Sequence, residues 1–527
     1  MTRRPNFVFI ITDQHRADHL GCYGNPVLRT PHIDSLAARG TRFDRFYVAN
    51  PVCMPNRASL MTGRMPSLHG VRHNGIPLSC DHVTFVELLA AAGYRTGLVG
   101  KSHLQNFTGH GPVVEFETAP GKSAPPEALR EANRRPLKGP DYDMEKEPLW
   151  SDPSHNVRLP FYGFQEARIC TNHGDMAGAD YRRWLEQKQP GASSLIGKEN
   201  AIPDQRRSAP QAWRTAVPEG LYPTAYVKEL SCDFINRHAS DGTDSPFFLQ
   251  VSFPDPHHPF TPPGKYWDMY DPDRIELPSS FDKGDIAPLL WMRDQLKRGI
   301  ADRAGPTAPF AVTAEEARNI IALTYGMIAM VDDAVGEILA TLERLALTDN
   351  TIVIFTADHG DFMGDYGIML KYLLHYQGLI RVPCIVADPT ADNAGTLCSD
   401  LAGTIDIAPT ILGRAGIQPF NGVQGRDLLD PNAAAPDGLI IEEDSVFRLF
   451  DTDTPDRVRT LVTDSWRLSF HQAGGWWELY DLKADPDEID NLWDAPNRPA
   501  IADELVRHML SRLVALNDTS PLPTGRA

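Results

Sequence analysis

The chain has 527 residues, more than one compact core of ordinary size holds, so a large domain with a smaller one attached is expected. Hydrophobic residues make up 42% and charged residues 23%, an ordinary balance for a globular protein. The net charge of -18 argues against nucleic acid or an anionic membrane surface as a partner.

Arg3 and Arg4 precede the apolar run from Phe7 to Ile11. The run is too short for a secretory leader and is followed by Asp13, His15 and Arg16, so it reads as a buried strand. No stretch approaches the roughly 20 apolar residues of a membrane span. The seven cysteines are scattered, odd in number and without a CxxC pair. That pattern suits a reducing compartment, and the cytoplasm is the expected location. Thr84-Phe85-Val86-Glu87 is a capping box that opens a helix to about Ala92, closed by Gly93. Gly97 to Val99 reads as a short strand and Pro246 to Phe253 as another. Thr313 and Glu316 open a long helix to about Leu345, and Thr351 to Phe355 is a third strong strand. The stretch from about 105 to 219 is rich in Pro, Gly, Arg and Lys and reads as long insertions over the sheet, covering the site or a partner subunit. Its Trp150, Tyr162 and Trp184 are candidates to stack on an aryl group or cage a cation. Beyond about residue 413 short alternating segments, Arg459 to Thr463 and Trp466 to His471, precede an amphipathic helix near Ile501 to Leu516.

Apolar strands alternating with helices predict a largely parallel α/β sheet flanked by helices over residues 1–412, with a smaller α+β unit over 413–527. Ligands of such sheets bind at the carboxyl ends of strands. Asp13, His257 and Asp358 each fall just beyond such an end, and that shared placement points to a site.

Cys53-Met54-Pro55-Asn56-Arg57 continues as Ala58-Ser59-Leu60-Met61-Thr62-Gly63-Arg64. Alone, a cysteine four residues before an arginine reads as a buried structural thiol. The whole stretch, however, resembles the sulfatase signature, C-x-P-x-R followed by A-S-L-x-T-G. Gly100-Lys101-Ser102-His103-Leu104 resembles the family's G-K-x-H-L motif, and Pro256-His257-His258-Pro259 its P-H-x-P motif. Thr30 to Leu36 and Glu478 to Leu482 resemble further family segments.

The resemblance implies an alkaline-phosphatase-like fold and a formylglycine made from Cys53 by a formylglycine-generating enzyme or equivalent. One hydroxyl of its hydrate attacks the ester, and the other expels the sulfate. It also implies one divalent metal held by Asp13, Gln14, Asp358, His359 and position 53. Carboxylates suit Ca2+, whereas an imidazole ligand tilts toward Mn2+. Arg57 and Lys101 are expected to hold the nucleophile and the anion. His257 and Lys371 are expected to grip the substrate and protonate the leaving group, with His258 as the fallback for His257. His103 assists the release step, and Asn74 contacts substrate. These cations answer a problem posed by the net charge, since an acidic protein that binds an anion must gather positive groups locally. The expected activity is hydrolysis of a small sulfate monoester of the arylsulfatase type. Asp-Gln and Asp-His at the metal positions are similar to phosphonate monoester hydrolases and choline sulfatases, so those substrates are alternatives. A non-catalytic, metal-binding relative with unmodified Cys53 is a further one. A homo-oligomer, dimer or tetramer, is implied as well.

Overall fold

A computed structural model describes residues 4–112, 114–133, 136–303, 308–446, 455–496 and 498–525. Arg3 and short pieces of the 105–219 and 413–527 segments lie outside the described residues. Eight strands form the central sheet: β1 (Asn6–Thr12), β2 (Thr41–Phe43), β3 (Arg95–Lys101), β4 (Glu166–Cys170), β5 (Phe247–Phe253), β6 (Thr351–Ala357), β7 (Cys384–Ala387) and β8 (Thr396–Cys398). Their spatial order is β8-β2-β7-β6-β1-β5-β3-β4. All but β7 run in one direction. The expected mostly parallel α/β architecture is therefore present.

The long central runs of β1, β5 and β6 are mostly apolar because the sheet is covered on both faces. Along β1, Phe7, Phe9 and Ile11 enter one core, while Val8 and Ile10 enter the other. The Val8 side is filled by α1 (Pro31–Arg39), α4 (Pro223–Ser240) and α5 (Ala314–Arg344). The Phe7 side is filled by α2 (Cys53–Thr62), α3 (Phe85–Ala91) and α6 (Ile407–Arg414). Both expected capping boxes are formed, at Thr84 and at Thr313. Helix α5 is long and apolar enough to cross a membrane, yet 89% of its apolar window is buried inside the protein.

Two expectations shift. The segment read as insertions contributes β4, the last parallel strand, which the sequence reading did not assign. It is only five residues long and half polar, so it carries little periodic signal. Trp150, Tyr162 and Trp184 are packed into the two cores, at 7%, 8% and 8% exposure, and do not present a stacking surface.

Residues beyond α6 build an antiparallel sheet of β9 (Leu439–Asp444), β10 (Arg457–Val462), β11 (Trp466–His471) and β12 (Trp476–Asp481), in that spatial order. Helix α7 (Ala502–Ala515) covers one face through Leu505 and Met509, which pack with Ile440, Leu461, Leu468 and Leu479.

Candidate active site

Five neighbouring strands, β6, β1, β5, β3 and β4, end on the same edge of the sheet. Directly beyond them lie Asp358-His359, Asp13-Gln14, Asp255 to His258, Lys101 to His103, and His173. The carboxyl-end rule thus gathers residues from 13 to 359 that lie far apart in the chain. Gly100 makes one of these approaches possible. Its φ is +107°, and a Cβ there would lie 1.9 Å from the Ser252 carbonyl oxygen, so only glycine lets β3 run against β5 and deliver Lys101.

Helix α2 enters this edge with Cys53 as its first residue, two residues earlier than the expected start near Pro55. Every residue of α2 is buried. Half-buried Asn74 accepts through its Oδ1 from the Met54 amide at 3.1 Å, which caps the first turn, and its Nδ2 donates to the Tyr372 hydroxyl at 3.4 Å. Asn56 ties the same turn to the sheet by donating to the Asp358 carbonyl at 2.5 Å.

Asp13, Cys53, Asp358 and His359 bring one ligand atom each to within 4.8 Å of one another, all fully buried. His359 Nδ1 donates to the Gly360 carbonyl at 2.7 Å, which leaves Nε2 as the atom facing Cys53 Sγ at 3.1 Å. Burial and Lys371 push the His359 pKa down, but Asp358, Cys53 and Asp13 outweigh them and raise it to about 9. The acceptors therefore draw positive charge to this point. Gln14 completes the edge. Its amide nitrogen donates to Asp361 Oδ2 at 2.5 Å, while its Oε1 is buried without a hydrogen-bond partner. An orphaned buried acceptor beside two carboxylates and an imidazole fits a hard divalent cation.

The cations converge from the other side. Arg57 Nε donates to Asp358 Oδ2 at 2.7 Å, and its Nη1 donates to both the Lys101 carbonyl and Ser252 Oγ, each at 2.9 Å, while Nη2 is buried without a hydrogen bond, 3.8 Å from Asp13 Oδ2. Lys101 Nζ contacts Asp13 directly. Lys371 Nζ lies 3.1 Å from Cys53 Sγ, 2.9 Å from His257 Nε2 and 3.0 Å from His359 Nε2. Burial and Asp13 both push the Cys53 thiol pKa up, yet Lys101, Lys371 and His359 together bring it below its ordinary value. The pocket stabilises an anion at this atom in spite of the protein's acidity.

His257 is neutral, because burial drives its pKa well below the usual imidazole value, helped by His173, His258 and Lys371. Its Nδ1 donates to the His258 carbonyl at 2.6 Å, so Nε2 is an acceptor for the Lys371 ammonium. His258 faces Gln14 instead, Nδ1 to Nε2 at 3.3 Å. His103 is buried, its ring 4.2 Å from the Phe107 ring and its amide held by Glu145 at 2.7 Å. Burial raises the Glu145 carboxyl to about 7 against the three backbone amides of His103, Leu104 and Gln105 that it accepts.

One site residue was missed by sequence reasoning. His173 stacks on His257 with ring centroids 3.5 Å apart, lies 2.6 Å from Lys101 Nζ and 3.4 Å from Asp13 Oδ2. It follows β4, and recognition of that strand was the signal needed. Asp13, His173 and His257 form a second set with metal-ligand spacing. The Lys101 ammonium sits between Asp13 and His173, however, and supplies the positive charge there, which leaves one cation place rather than two.

Known proteins are similar to this chain over almost its whole length. Residues 5–417 match the family described as Sulfatase, and residues 364–515 match N-sulphoglucosamine sulphohydrolase, C-terminal. An arylsulfatase of Clostridium perfringens is 28% identical over 97% of this chain and 94% of its own. A choline-sulfatase of Rhizobium meliloti is 26% identical over 94% of this chain and 84% of its own. The phosphonate monoester hydrolase of Agrobacterium radiobacter superposes with a TM-score of 0.74 at 24% identity, covering 98% of this chain and 97% of its own. With its family match running from before β1 to beyond α6, and so through every strand end that builds the pocket, the chain belongs to the sulfatase family.

Proposed function

We propose that this protein hydrolyses sulfate monoesters of the arylsulfatase type, with position 53 as the nucleophile after oxidation of its thiol to formylglycine by a maturation enzyme. The observation that carries this reading is the surroundings of Cys53 Sγ. A buried atom on a helix N-terminus touches His359 and Lys371 at 3.1 Å, beside two carboxylates that gather cations. Sγ marks the place of the attacking oxygen. When bound, a divalent ion (Mn2+ or Ca2+) held by Asp13, Gln14, Asp358 and His359 would lower the pKa of that hydroxyl and offset charge on the anion. Arg57 orients Asp358 and fills the floor, and Lys101 and His173 face the anion from the β3 and β4 side. Lys371 is the group placed to donate a proton to the leaving oxygen, with neutral His257 as the acceptor that aims it. A small anionic ester in the cytoplasm, and a homo-oligomer, belong to the same reading.

Two measurements test it. Peptide mass spectrometry across Cys53 is expected to show a residue about 18 Da lighter than cysteine, the mass of formylglycine. An intact thiol in an active preparation removes the nucleophile and leaves a non-catalytic relative as the reading. Turnover of an aryl sulfate is expected to exceed that of the matching aryl phosphonate. A clear preference for the phosphonate overturns the substrate class and favours the second reading, phosphonate monoester or phosphodiester hydrolysis, which Gln14 and His359 at the metal positions support. The choline sulfatase alternative loses the cation cage foreseen at Trp150, Tyr162 and Trp184, since all three are core residues.

His173→Ala is expected to lower kcat/KM for an aryl sulfate by about 10- to 100-fold, the usual effect of removing a group that orients others at such a site. Unchanged kinetics would show that His173 is only a packing partner of His257.

A further inference from the structure

The antiparallel sheet lies outside the pocket, but its strand β9 reaches both loops that present reacting groups. β9 is an edge strand, paired on one side with β10. On its free side the Glu442 amide donates to the Ala49 carbonyl at 2.9 Å, and the Glu442 carbonyl accepts from Asn50 Nδ2 at 2.6 Å. Asn50 Oδ1 in turn accepts from the Val52 amide at 2.9 Å, immediately before Cys53. The Glu442 side chain accepts from the Ser67 amide and hydroxyl at 2.8 and 3.0 Å, beyond the far end of α2. One residue thus grips α2 before and after its length.

Adjacent residues of a strand point to opposite faces, so Glu443 serves the other loop. Its Oε2 accepts from the Leu373 amide at 2.8 Å and contacts His375 Nε2 at 3.1 Å. His375 Nδ1 meets Thr460 Oγ1 of β10 at 2.8 Å. Glu443 is 1% exposed. The loop it holds carries Lys371, and Leu370, Tyr372 and Leu373 around that lysine have φ of +73°, +98° and +64°. Three non-glycine residues in the left-handed region persist only where surrounding contacts over-determine them. A small cluster of Val52, Tyr372, Leu373 and Val458 closes the gap between the two loops and β10.

We propose that β9 is a brace that sets the separation of position 53 and Lys371, with Glu443 as the positioning residue for Lys371 and Glu442 as its counterpart for α2. The proposal rests on the assignment of Lys371 to proton donation, and it applies equally to a sulfate or a phosphonate ester. Glu443 touches no reacting atom and acts through the lysine it holds in place.

The test is a double-mutant cycle of Glu443→Ala with Lys371→Met, run on whichever aryl ester the wild type turns over. Glu443→Ala alone is expected to lower kcat by about 10- to 100-fold with KM little changed, as for other groups that orient a reacting residue. Glu443→Gln, which retains an acceptor for the Leu373 amide, is expected to recover most of that loss. In the Lys371→Met background Glu443→Ala is expected to add no further loss, because residues acting through one group are not additive. Additive losses, or a kcat within twofold of wild type for Glu443→Ala, overturn the brace. A crystal structure of Glu443→Ala supplies the readout that needs no turnover. Lys371 displaced from position 53 supports the proposal, and Lys371 unmoved overturns it. If the wild type turns over no ester at all, the proposed activity fails, while the crystal structure still decides the brace.

Discussion

Cys53→Ala is expected to abolish turnover, with kcat falling on the order of 10^4-fold or more, the scale seen when an enzyme loses its nucleophile. The side chain is 1% exposed, and trading a thiol for a methyl removes one small group, so the fold should survive. Asp13, Asp358, Gln14 and His359 remain, so metal bound per chain should stay at the wild-type level. The measurements are turnover of an aryl ester, metal content and circular dichroism on the same preparation. Turnover within about tenfold of wild type would mean that another residue supplies the nucleophile. Lost metal together with lost activity would instead make position 53 chiefly a ligand.

The second large effect is on stability. Arg467 is fully buried in the antiparallel sheet, 0% exposed. It contacts Glu488, donates to Glu478 at 3.2 Å and to Ser469 Oγ at 2.8 Å, and lies 4.8 and 4.5 Å from the ring centres of Tyr376 and Tyr480. Arg467→Met fills much of the same volume but leaves two buried carboxylates short of their cation. Breaking such a set costs about 3 to 5 kcal/mol. A lowered guanidinium midpoint, read through tryptophan fluorescence, to which Trp466, Trp476 and Trp477 of that sheet contribute, checks it. An unchanged midpoint contradicts it.

The pH dependence of that variant has a definite sign. In the wild type, burial would raise the Glu478 carboxyl, but Arg467 and the His471 hydrogen bond overcome it and hold it at about 2. Its contribution to stability is therefore full above the ordinary glutamate value of 4.5 and is lost as pH falls toward 2. Glu488 is the opposite case, lifted by burial to about 7 even with Arg467 opposing. Without the guanidinium both carboxyls rise, and the folded state then prefers them protonated. The destabilisation of Arg467→Met should accordingly be smaller at pH 5 than at pH 8.

The same sheet bears on the site through Gln377, whose amide donates to Glu488 Oε2 at 2.7 Å just beyond the Lys371 loop. A loss of order around Glu488 would thus reach the loop that Glu443 holds.

The residues alone marked β1, β5 and β6 as strands, because both of their faces are buried and most of their positions are apolar. From those runs the sequence placed Asp13, His257 and Asp358 at strand ends, and the motif around Cys53 added Arg57 and, with its companion segments, Lys101 and Lys371. It did not locate His173, because β4 is a short edge strand whose half-polar residues carry no period. Nor could it decide that Asn74 caps α2, or that His257 is an acceptor and Lys371 the donor, since each depends on a partner far away in the chain. The charge of the pocket was decided in the same way. A protein of net charge -18 favours an anion at position 53 only because the fold carries Lys101, Lys371 and His359 to one buried point, where low dielectric magnifies their effect. Position 53 was legible in residue types as the candidate nucleophile; how its surroundings are held was written only in contacts across the sheet edge and from β9.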